Sequence, residues 1–142
     1  MPELPFKILG IEHVGIAIDD LNGISDVFGD LLGLKLRSRE KIDDQQVITD
    51  IYETGRGKLE FLKATGPDSP IAKFIDKKGK GMHHIALLVD NLQAALNYLK
   101  GQGVQLIDTS PRIGAEGFKI AFLHPKSTGG ILVELCEKNR QK

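Results

Sequence analysis

The sequence predicts an α+β fold that is built from two copies of one βαβββ module. The first observation is an internal repeat, because residues 11–20 read Ile-Glu-His-Val-Gly-Ile-Ala-Ile-Asp-Asp and residues 81–90 read Gly-Met-His-His-Ile-Ala-Leu-Leu-Val-Asp. A shift of 71 residues places His13 on His84 and Asp19 on Asp90. The second observation is that a helix and three strands follow each copy of the repeat. These patterns favour one duplicated module over a long repeat array.

The first module is expected at residues 8–64. A helix capped by Asp19 or Asp20 follows the first strand, and Gly33 ends it. Strands are then expected at 34–40, 46–53 and 58–63, with turns at Asp43-Asp44 and Gly55 to Gly57. The apolar positions that recur at helical spacing in this helix are Leu21, Ile24, Val27, Phe28, Leu31 and Leu32.

The second module is expected at residues 81–137, after a connector at 65–80. Ser69 and Pro70 predict the start of a short connector helix that ends near Lys78. In the second module, Asn91 caps a helix that closes at Gly101 to Gly103. Strands are then expected at 104–108, 118–123 and 130–137. The whole chain, residues 1–142, is interpreted as a single domain.

The composition excludes several classes of function. Lysine plus arginine equals aspartate plus glutamate at 19 each, so no net charge favours nucleic acid or an anionic membrane. No apolar run approaches the ~20 residues of a membrane span, and the N-terminus lacks the pattern of a signal peptide. The single cysteine, Cys136, is consistent with a reducing compartment. We therefore expect a cytoplasmic protein.

Strand alternation separates the histidines of the repeat into two groups. His13 shares a face with Gly15 and Ala17, while the neighbouring positions form an apolar face that is expected to lie under the helices. In the second copy the same alternation places His84, and not His83, on the face that matches His13. His83 belongs with the apolar set.

Each copy also ends in a strand that carries a glutamate. Leu59-Glu60-Phe61-Leu62 aligns with Val133-Glu134-Leu135-Cys136. A pseudo-twofold relation between the copies would bring together His13, Glu60, His84 and Glu134. A single buried histidine is usually a hydrogen-bonded structural residue and a single glutamate is usually solvated, but repetition of both residue types favours a metal site. Two imidazoles and two carboxylates suit Co, Mn, Ni, Zn or Fe, with two positions left for water or substrate.

Five runs of residues resemble the methylmalonyl-CoA epimerase family, a member of the vicinal oxygen chelate superfamily that also contains glyoxalase I. These runs are His13-Val-Gly-Ile-Ala-Ile, Asp68-Ser-Pro-Ile-Ala-Lys-Phe, Gly81-Met-His-His-Ile-Ala, Pro111-Arg-Ile-Gly-Ala and Phe122-Leu-His-Pro-Lys-Ser-Thr-Gly-Gly-Ile-Leu-Val-Glu-Leu. The resemblance extends from Ile8 to Glu137. It implies that curved mixed sheets form a cup with the helices outside.

The resemblance also implies an activity, the reversible conversion of (2R)- and (2S)-methylmalonyl-CoA at a site whose divalent metal is held by His13, Glu60, His84 and Glu134. Removal of the proton alpha to the thioester gives an enolate, which a metal would stabilise. Inversion needs one acid/base group on each side of the enolate plane. Glu134 is a candidate for one of these two groups.

The second acid/base group remains open between two places in the sequence. Asp44 of Asp44-Gln-Gln-Val47 matches the acidic residue of a Glu-Gln/His-x-Val run in the family. Some members instead use a glutamate further along the strand, where this chain has Thr49 with Asp50 beside it. An aspartate at a turn before a strand is also common without any catalytic role.

The same resemblance suggests substrate-binding residues and partners. Lys126 and Ser127 follow a strand, and Lys126 offers a cation to a CoA phosphate or to the substrate carboxylate, although most exposed lysines have no such role. His124 is interpreted as structural. The expected partner is a small acyl-CoA substrate, with no nucleic acid and no membrane, and family habit implies a homodimer.

Two alternative functions remain. A glyoxalase I-type isomerase acting on a glutathione hemithioacetal needs a similar metal set and a similar proton transfer. A metal-free binding module like the bleomycin-resistance proteins belongs to another class, and such modules tend to lack the ligand set. The presence of all four expected ligands therefore favours an enzyme.

Overall fold

The computed structural model describes residues 3–139. Two compact units are distinguished in it: the first unit is residues 13–83, and the second unit is residues 3–12 together with 84–139. The order of elements confirms the predicted α+β class, with strand, helix and three strands in each copy. The strands are β1 (Ile8–Ile18), β2 (Lys35–Ile42), β3 (Val47–Glu53), β4 (Lys58–Ala64), β5 (Gly81–Val89), β6 (Arg112–Ile113), β7 (Lys119–Leu123) and β8 (Val133–Glu137), and the helices are α1 (Leu21–Ile24), α2 (Pro70–Lys78) and α3 (Leu92–Gly101).

The sheet of the first unit has the strand order β2-β3-β4-β1. The pair β1–β4 is parallel, and the pairs β2–β3 and β3–β4 are antiparallel. One row of directly opposed residues runs Ser38, Ile51, Glu60, Gly15 across the four strands. Opposed residues share a face and side chains alternate along a strand, so this row lies on the face that also carries His13. We call it the histidine face of the first unit.

The opposite face of this sheet is apolar and packs against the first helical segment. Ile16, Ile18 and Phe61 cluster there with Leu21 and Phe28. The prediction that one face of β1 lies under this helix is therefore confirmed.

Helix α2 covers part of the histidine face, whereas the sequence predicted helices on the opposite face. Ala17, on the histidine face, packs in a cluster with Ile71, Phe74 and Ile75 of α2. The connector helix is amphipathic and must bury its apolar side, so it covers this end of the face. α2 itself runs from Pro70 to Lys78 as predicted, with the Ser69 side chain accepting a hydrogen bond from Ile71 N.

The first helix differs from the prediction in its winding. It begins at Leu21 with Asp20 as N-cap, but after Ile24 it continues as a π-helix over Ser25–Leu31. In this i→i+5 winding each residue turns less than in an α-helix, so positions that would align at the α spacing drift away from the core. Leu31 and Leu32, which were expected to be buried, are consequently 79% and 61% exposed.

The sheet of the second unit has the strand order β5-β8-β7-β6, in which β5–β8 is parallel and the other pairs are antiparallel. One row of opposed residues consists of Ala86, Glu134 and Phe122. A second row, two residues further along β5 and β8, consists of Leu88, Cys136, Ile120 and Arg112. Both rows lie on the face that carries His84, which we call the histidine face of the second unit. The other face packs against α3, through a cluster that includes Val89, Leu92, Ala95, Leu96, Ala121, Leu123 and Leu135.

The predicted strand at residues 104–108 is wrong. This segment makes a single bridge between Leu106 and Leu123, and the strand that pairs with β7 is Arg112–Ile113. The Asp108 side chain accepts a hydrogen bond from Phe122 N, and the backbone amides of Ile107 and Asp108 both donate to Phe122 O. These contacts end the ladder after one bridge, and pairing resumes beyond Pro111, which has no amide hydrogen to donate.

Among the helices in residues 3–139, none combines the length and the apolar character that a membrane-spanning helix requires.

An ion pair between a buried carboxylate and an exposed guanidinium joins β2 and β3 on the apolar face of the first unit. Asp50 is fully buried, and its two carboxylate oxygens accept hydrogen bonds from Arg39 Nε (2.6 Å) and Nη2 (2.9 Å). These contacts raise the pKa of the Arg39 guanidinium above its usual value, mainly through the hydrogen bond to Asp50. A carboxylate in this apolar environment depends on its partner, because an unpaired buried charge is strongly unfavourable.

We predict that Arg39→Met lowers the free energy of unfolding by roughly 2–4 kcal/mol, because it leaves the buried Asp50 carboxylate unpaired. Urea denaturation measures this loss. The double variant Arg39→Met/Asp50→Val should recover most of it, since the charge is then removed together with its partner.

Arg37→Met is the matched control, because Arg37 also pairs with a carboxylate at 2.6 Å but that carboxylate, Glu53, is 41% exposed, whereas Asp50 is 1% exposed. Its loss should be no more than about 1 kcal/mol. A loss for Arg39→Met as small as that of Arg37→Met would show that the Asp50 pair does not stabilise the sheet.

Candidate active site

A histidine and a glutamate are in contact on the histidine face of the first unit. His13 Nδ1 lies 3.1 Å from Glu60 Oε2, and both side chains are about 6% exposed. His13 is opposed to Lys58 in the β1–β4 register, whereas Glu60 is opposed to Gly15. The contact is therefore a diagonal one, and it is possible because Gly15 has no side chain to fill the space beside Glu60.

The second unit repeats this arrangement. His84 Nε2 lies 3.4 Å from Glu134 Oε1, with both side chains again about 6% exposed. Glu134 is opposed to Ala86, the residue two positions after the histidine. The same parallel register and the same small residue thus produce the second histidine–glutamate contact.

The chemistry of each pair fits a metal ligand set. An imidazole nitrogen and a carboxylate oxygen are ligands for Co, Mn, Ni, Zn and Fe. Two ligands at ~2.1 Å from one ion and at right angles to each other are ~3.0 Å apart, close to the 3.1 Å and 3.4 Å that separate the two pairs of atoms. Each unit therefore supplies one nitrogen and one oxygen that can bind a divalent cation.

His83 lies in a different environment from its neighbour His84. Its ring meets the Phe74 ring edge-on, with the centroids 4.8 Å apart and an interplanar angle of 83°. Burial lowers the pKa of His83, because desolvation disfavours the charged imidazolium. This contact packs His83 against α2, and the assignment of His83 as a non-ligand stays a prediction.

Two residues on the histidine face of the second unit, Phe122 and Arg112, were not identified as functional from the sequence. Phe122 is directly opposed to Glu134, and its ring meets the His84 ring edge-on at a centroid distance of 5.6 Å. The Arg112 guanidinium lies over the same Phe122 ring, also at 5.6 Å. The available signal was the Pro111-Arg-Ile-Gly-Ala run, which contributed to the family resemblance without suggesting a role for Arg112.

Asp44 lies in a 3-10 turn, Asp43–Gln45, between β2 and β3, and its side chain is exposed. The turn ends at Gln46, which has a left-handed conformation with φ 49°. β3 begins opposite Ala64, and Glu60 lies four residues further along β4, roughly 13 Å at 3.3 Å per residue. The described structure therefore places Asp44 at the end of the sheet and not beside Glu60.

The neighbouring candidates Thr49 and Asp50 lie on opposite faces. Asp50 is opposed to Phe61 on the apolar face and is held by Arg39, so it has no access to the histidine face. Thr49 is opposed to Leu62 and shares the histidine face with Glu60, but it is buried and carries no carboxylate. Of these three positions, Asp44 is the one that has an exposed carboxylate, and its catalytic role stays a prediction.

The residues proposed to bind substrate lie in the short 3-10 turn Pro125–Ser127 after β7. The side chain of Lys126 is exposed, and its backbone amide donates to His124 Nδ1 at 3.1 Å. Ser127 Oγ accepts a hydrogen bond from Gln105 N at 2.9 Å. His124 therefore caps the turn, as its structural interpretation requires.

Comparison with known proteins identifies relatives over almost the whole chain. Residues 12–122 match the Glyoxalase/Bleomycin resistance protein/Dioxygenase superfamily. The chain is 42% identical over 127 residues to the uncharacterized protein YqjC of Bacillus subtilis, covering 89% of this chain and 91% of YqjC. It is 39% identical over 126 residues to the mitochondrial methylmalonyl-CoA epimerase of Homo sapiens, covering 88% of this chain and 72% of the human protein.

Solved structures give the same result. Methylmalonyl-CoA epimerase from Mycobacterium tuberculosis has a TM-score of 0.89 and 34% identity, over 94% of this chain and 91% of that chain. A methylmalonyl-CoA epimerase in complex with methylmalonyl-CoA and NH4+ has a TM-score of 0.88 and 30% identity, over 94% of this chain and 97% of that chain. Similarity to these proteins confirms the resemblance and the isomerase class predicted from the sequence. The chain belongs to the glyoxalase, bleomycin resistance protein and dioxygenase superfamily.

Proposed function

We propose that this protein is an epimerase that interconverts (2R)- and (2S)-methylmalonyl-CoA by proton transfer at C2. The observation that carries the proposal is the buried histidine–glutamate contact in each unit, because metal-free binding modules have no need of four buried ligands. Similarity to methylmalonyl-CoA epimerases at 30–39% identity supports this substrate.

The chemistry needs a group that removes the C2 proton and another that returns a proton to the opposite side. C2 is acidic because the adjacent thioester carbonyl delocalises the negative charge of the enolate. Glu134 is proposed as one of the two groups, since its carboxylate is buried beside His84. Asp44 is proposed as the other, and it requires the turn at Asp43–Gln45 to approach the bound substrate.

The proposed ligands of a divalent ion are His13, Glu60, His84 and Glu134, an assignment that rests on the repeat in the sequence and on the donor chemistry of the two pairs. Such an ion, Co, Mn, Ni, Zn or Fe, would supply Lewis-acid stabilisation of the enolate when bound. The nitrogen proposed to face the ion is the one beside the glutamate, Nδ1 of His13 and Nε2 of His84.

The proposed substrate partner is an acyl-CoA. The exposed Lys126 ammonium is available for a phosphate or carboxylate of the substrate, and Ser127 retains its hydroxyl hydrogen for donation after accepting from Gln105 N. A homodimer and a cytoplasmic location complete the proposal. The buried Cys136 is not in a disulfide, which is compatible with a reducing compartment.

A turnover assay tests the proposed reaction directly. We predict that the purified protein epimerises methylmalonyl-CoA, that chelation with EDTA lowers the rate at least tenfold, and that added Co²⁺ restores it. The measurement is conversion of a single stereoisomer, followed by a stereospecific coupled enzyme. Turnover of the glutathione hemithioacetal of methylglyoxal in place of methylmalonyl-CoA would instead support the glyoxalase I-type alternative.

The two adjacent histidines should differ in their effect on metal content. We predict that His84→Ala weakens metal affinity roughly tenfold or more, because the loss of a ligand costs at least as much as the loss of its hydrogen-bonding partner. His83→Ala is the matched control and should retain the ion, since His83 packs against Phe74. Elemental analysis after dialysis separates these outcomes, and equal loss from both variants would contradict the assignment from strand alternation.

Deuterium exchange at C2 tests the two acid/base groups separately. We predict that Asp44→Asn retains the metal and still exchanges deuterium into one stereoisomer, while interconversion of the isomers falls at least tenfold. Loss of one acid/base group prevents proton transfer to C2 from one side of the enolate only. Proton NMR in D₂O gives both rates in one experiment.

Glu134→Gln is the comparison for this experiment, because it should weaken metal binding as well as proton transfer. Full recovery of its activity with excess Co²⁺ would show that Glu134 is a ligand only. Unchanged epimerisation by Asp44→Asn would remove Asp44 from the mechanism.

A further inference from the structure

Arg112 is a cation on the histidine face of the second unit that the proposed mechanism does not use. It lies on β6 and is directly opposed to Ile120, which in turn is opposed to Cys136 and stands two residues from Phe122 on β7. Because alternate residues of a strand share a face, Arg112 lies on the same face as Phe122 and Glu134.

The guanidinium is held in place on two sides. One face of it lies over the Phe122 ring, with the guanidinium carbon 5.6 Å from the ring centroid. Its Nε donates to Asp108 Oδ1 at 3.2 Å, and the other Asp108 oxygen accepts from Phe122 N at 2.8 Å. Asp108 therefore positions the arginine and the aromatic ring together, so little side-chain entropy remains to be lost when a ligand binds.

The end of the guanidinium remains open. Among residues 3–139, neither Nη1 nor Nη2 of Arg112 has a hydrogen-bond partner, and the side chain is 40% exposed. Two parallel N–H groups at this end match the two oxygens of a carboxylate, which is the geometry of bidentate arginine–carboxylate binding.

Phe122 contacts both the Arg112 guanidinium and the ring of His84. The Arg112 guanidinium carbon and the His84 ring centroid each lie 5.6 Å from the centroid of the Phe122 ring, so they are at most twice that distance apart. Phe122 is also directly opposed to Glu134. A ligand in contact with His84 therefore has at most about 11 Å to span to the Arg112 guanidinium carbon.

We propose that Arg112 binds the free carboxylate of a 2-carboxyacyl-CoA and thereby selects such substrates over simple acyl-CoA thioesters. This inference rests on the proposed function and extends it to the residue that recognises the substrate. A CoA phosphate offers the same oxyanion chemistry, but the carboxylate is favoured because Arg112 and His84 contact the same Phe122 ring, and the acyl group is proposed to react beside His84.

Calorimetric titration of the intact protein with two thioesters tests the assignment. Malonyl-CoA carries the carboxylate but has no stereocentre to invert, and acetyl-CoA lacks the carboxylate. We predict that Arg112→Met weakens malonyl-CoA binding roughly 10–100-fold, as expected for the loss of charge-assisted hydrogen bonds, and changes acetyl-CoA binding less than twofold. Arg112→Lys should retain part of the affinity for malonyl-CoA, because lysine keeps the positive charge but lacks the two parallel N–H groups of the guanidinium.

Arg56→Met is the matched control, since Arg56 is exposed in the turn between β3 and β4 of the first unit, and it should bind both thioesters as the parent protein does. An equal loss of both thioesters in Arg112→Met would assign Arg112 to a CoA phosphate or to general folding and would overturn the proposal. Unchanged malonyl-CoA binding would also overturn it.

The epimerase activity and the role of Arg112 in carboxylate binding can be refuted independently by these measurements. A parent protein that does not epimerise methylmalonyl-CoA, but loses malonyl-CoA selectively in Arg112→Met, refutes the activity and supports the carboxylate site. A parent protein that epimerises methylmalonyl-CoA, with no selective loss in Arg112→Met, supports the activity and refutes the role of Arg112.

Discussion

The parallel register between the first and last strands of each copy is the constraint on which the candidate site depends. It places each glutamate beside a residue with little or no side chain, Gly15 for Glu60 and Ala86 for Glu134, and thus opens a diagonal path to the histidine two positions earlier. A shift by one residue would turn both glutamates to the apolar face, where an unpaired carboxylate is strongly unfavourable. Burial, pairing and potential metal binding all follow from this single register.

The two copies have the same backbone plan but not the same surroundings. Glu60 is opposed on β3 by Ile51, whereas Glu134 is opposed on β7 by Phe122. The histidines also differ in the nitrogen that faces the carboxylate, Nδ1 for His13 and Nε2 for His84. The aromatic ring and the arginine above it occur in the second copy alone within the described residues, so the proposed recognition of substrate is asymmetric although the proposed ligand set is symmetric.

Much of this arrangement could be predicted from the sequence, because a buried strand has a period of two and the repeat identifies equivalent positions. That logic separates His84 from His83 and pairs each histidine with a glutamate. It could not assign Asp50 to a face, since this depends on the register of the hairpin between β3 and β4. It also could not detect β6, whose two residues are too few to show a period, and the position of Arg112 depends on that strand.

The π-helical winding after Ile24 has a consequence for the lengths of the two copies. The helical segment of the first copy spans 11 residues, Leu21 to Leu31, whereas α3 spans 10. One additional residue in an α-helix rotates everything that follows by about 100°, which would carry Phe28 and the start of β2 off the sheet. The π-helical turns contain more residues per turn than α-helical turns, so they accommodate the additional residue within the helix. The helical segments of the two copies can therefore differ in length without a longer loop. The two apolar side chains at the end of the segment, Leu31 and Leu32, are left in contact with solvent as a result.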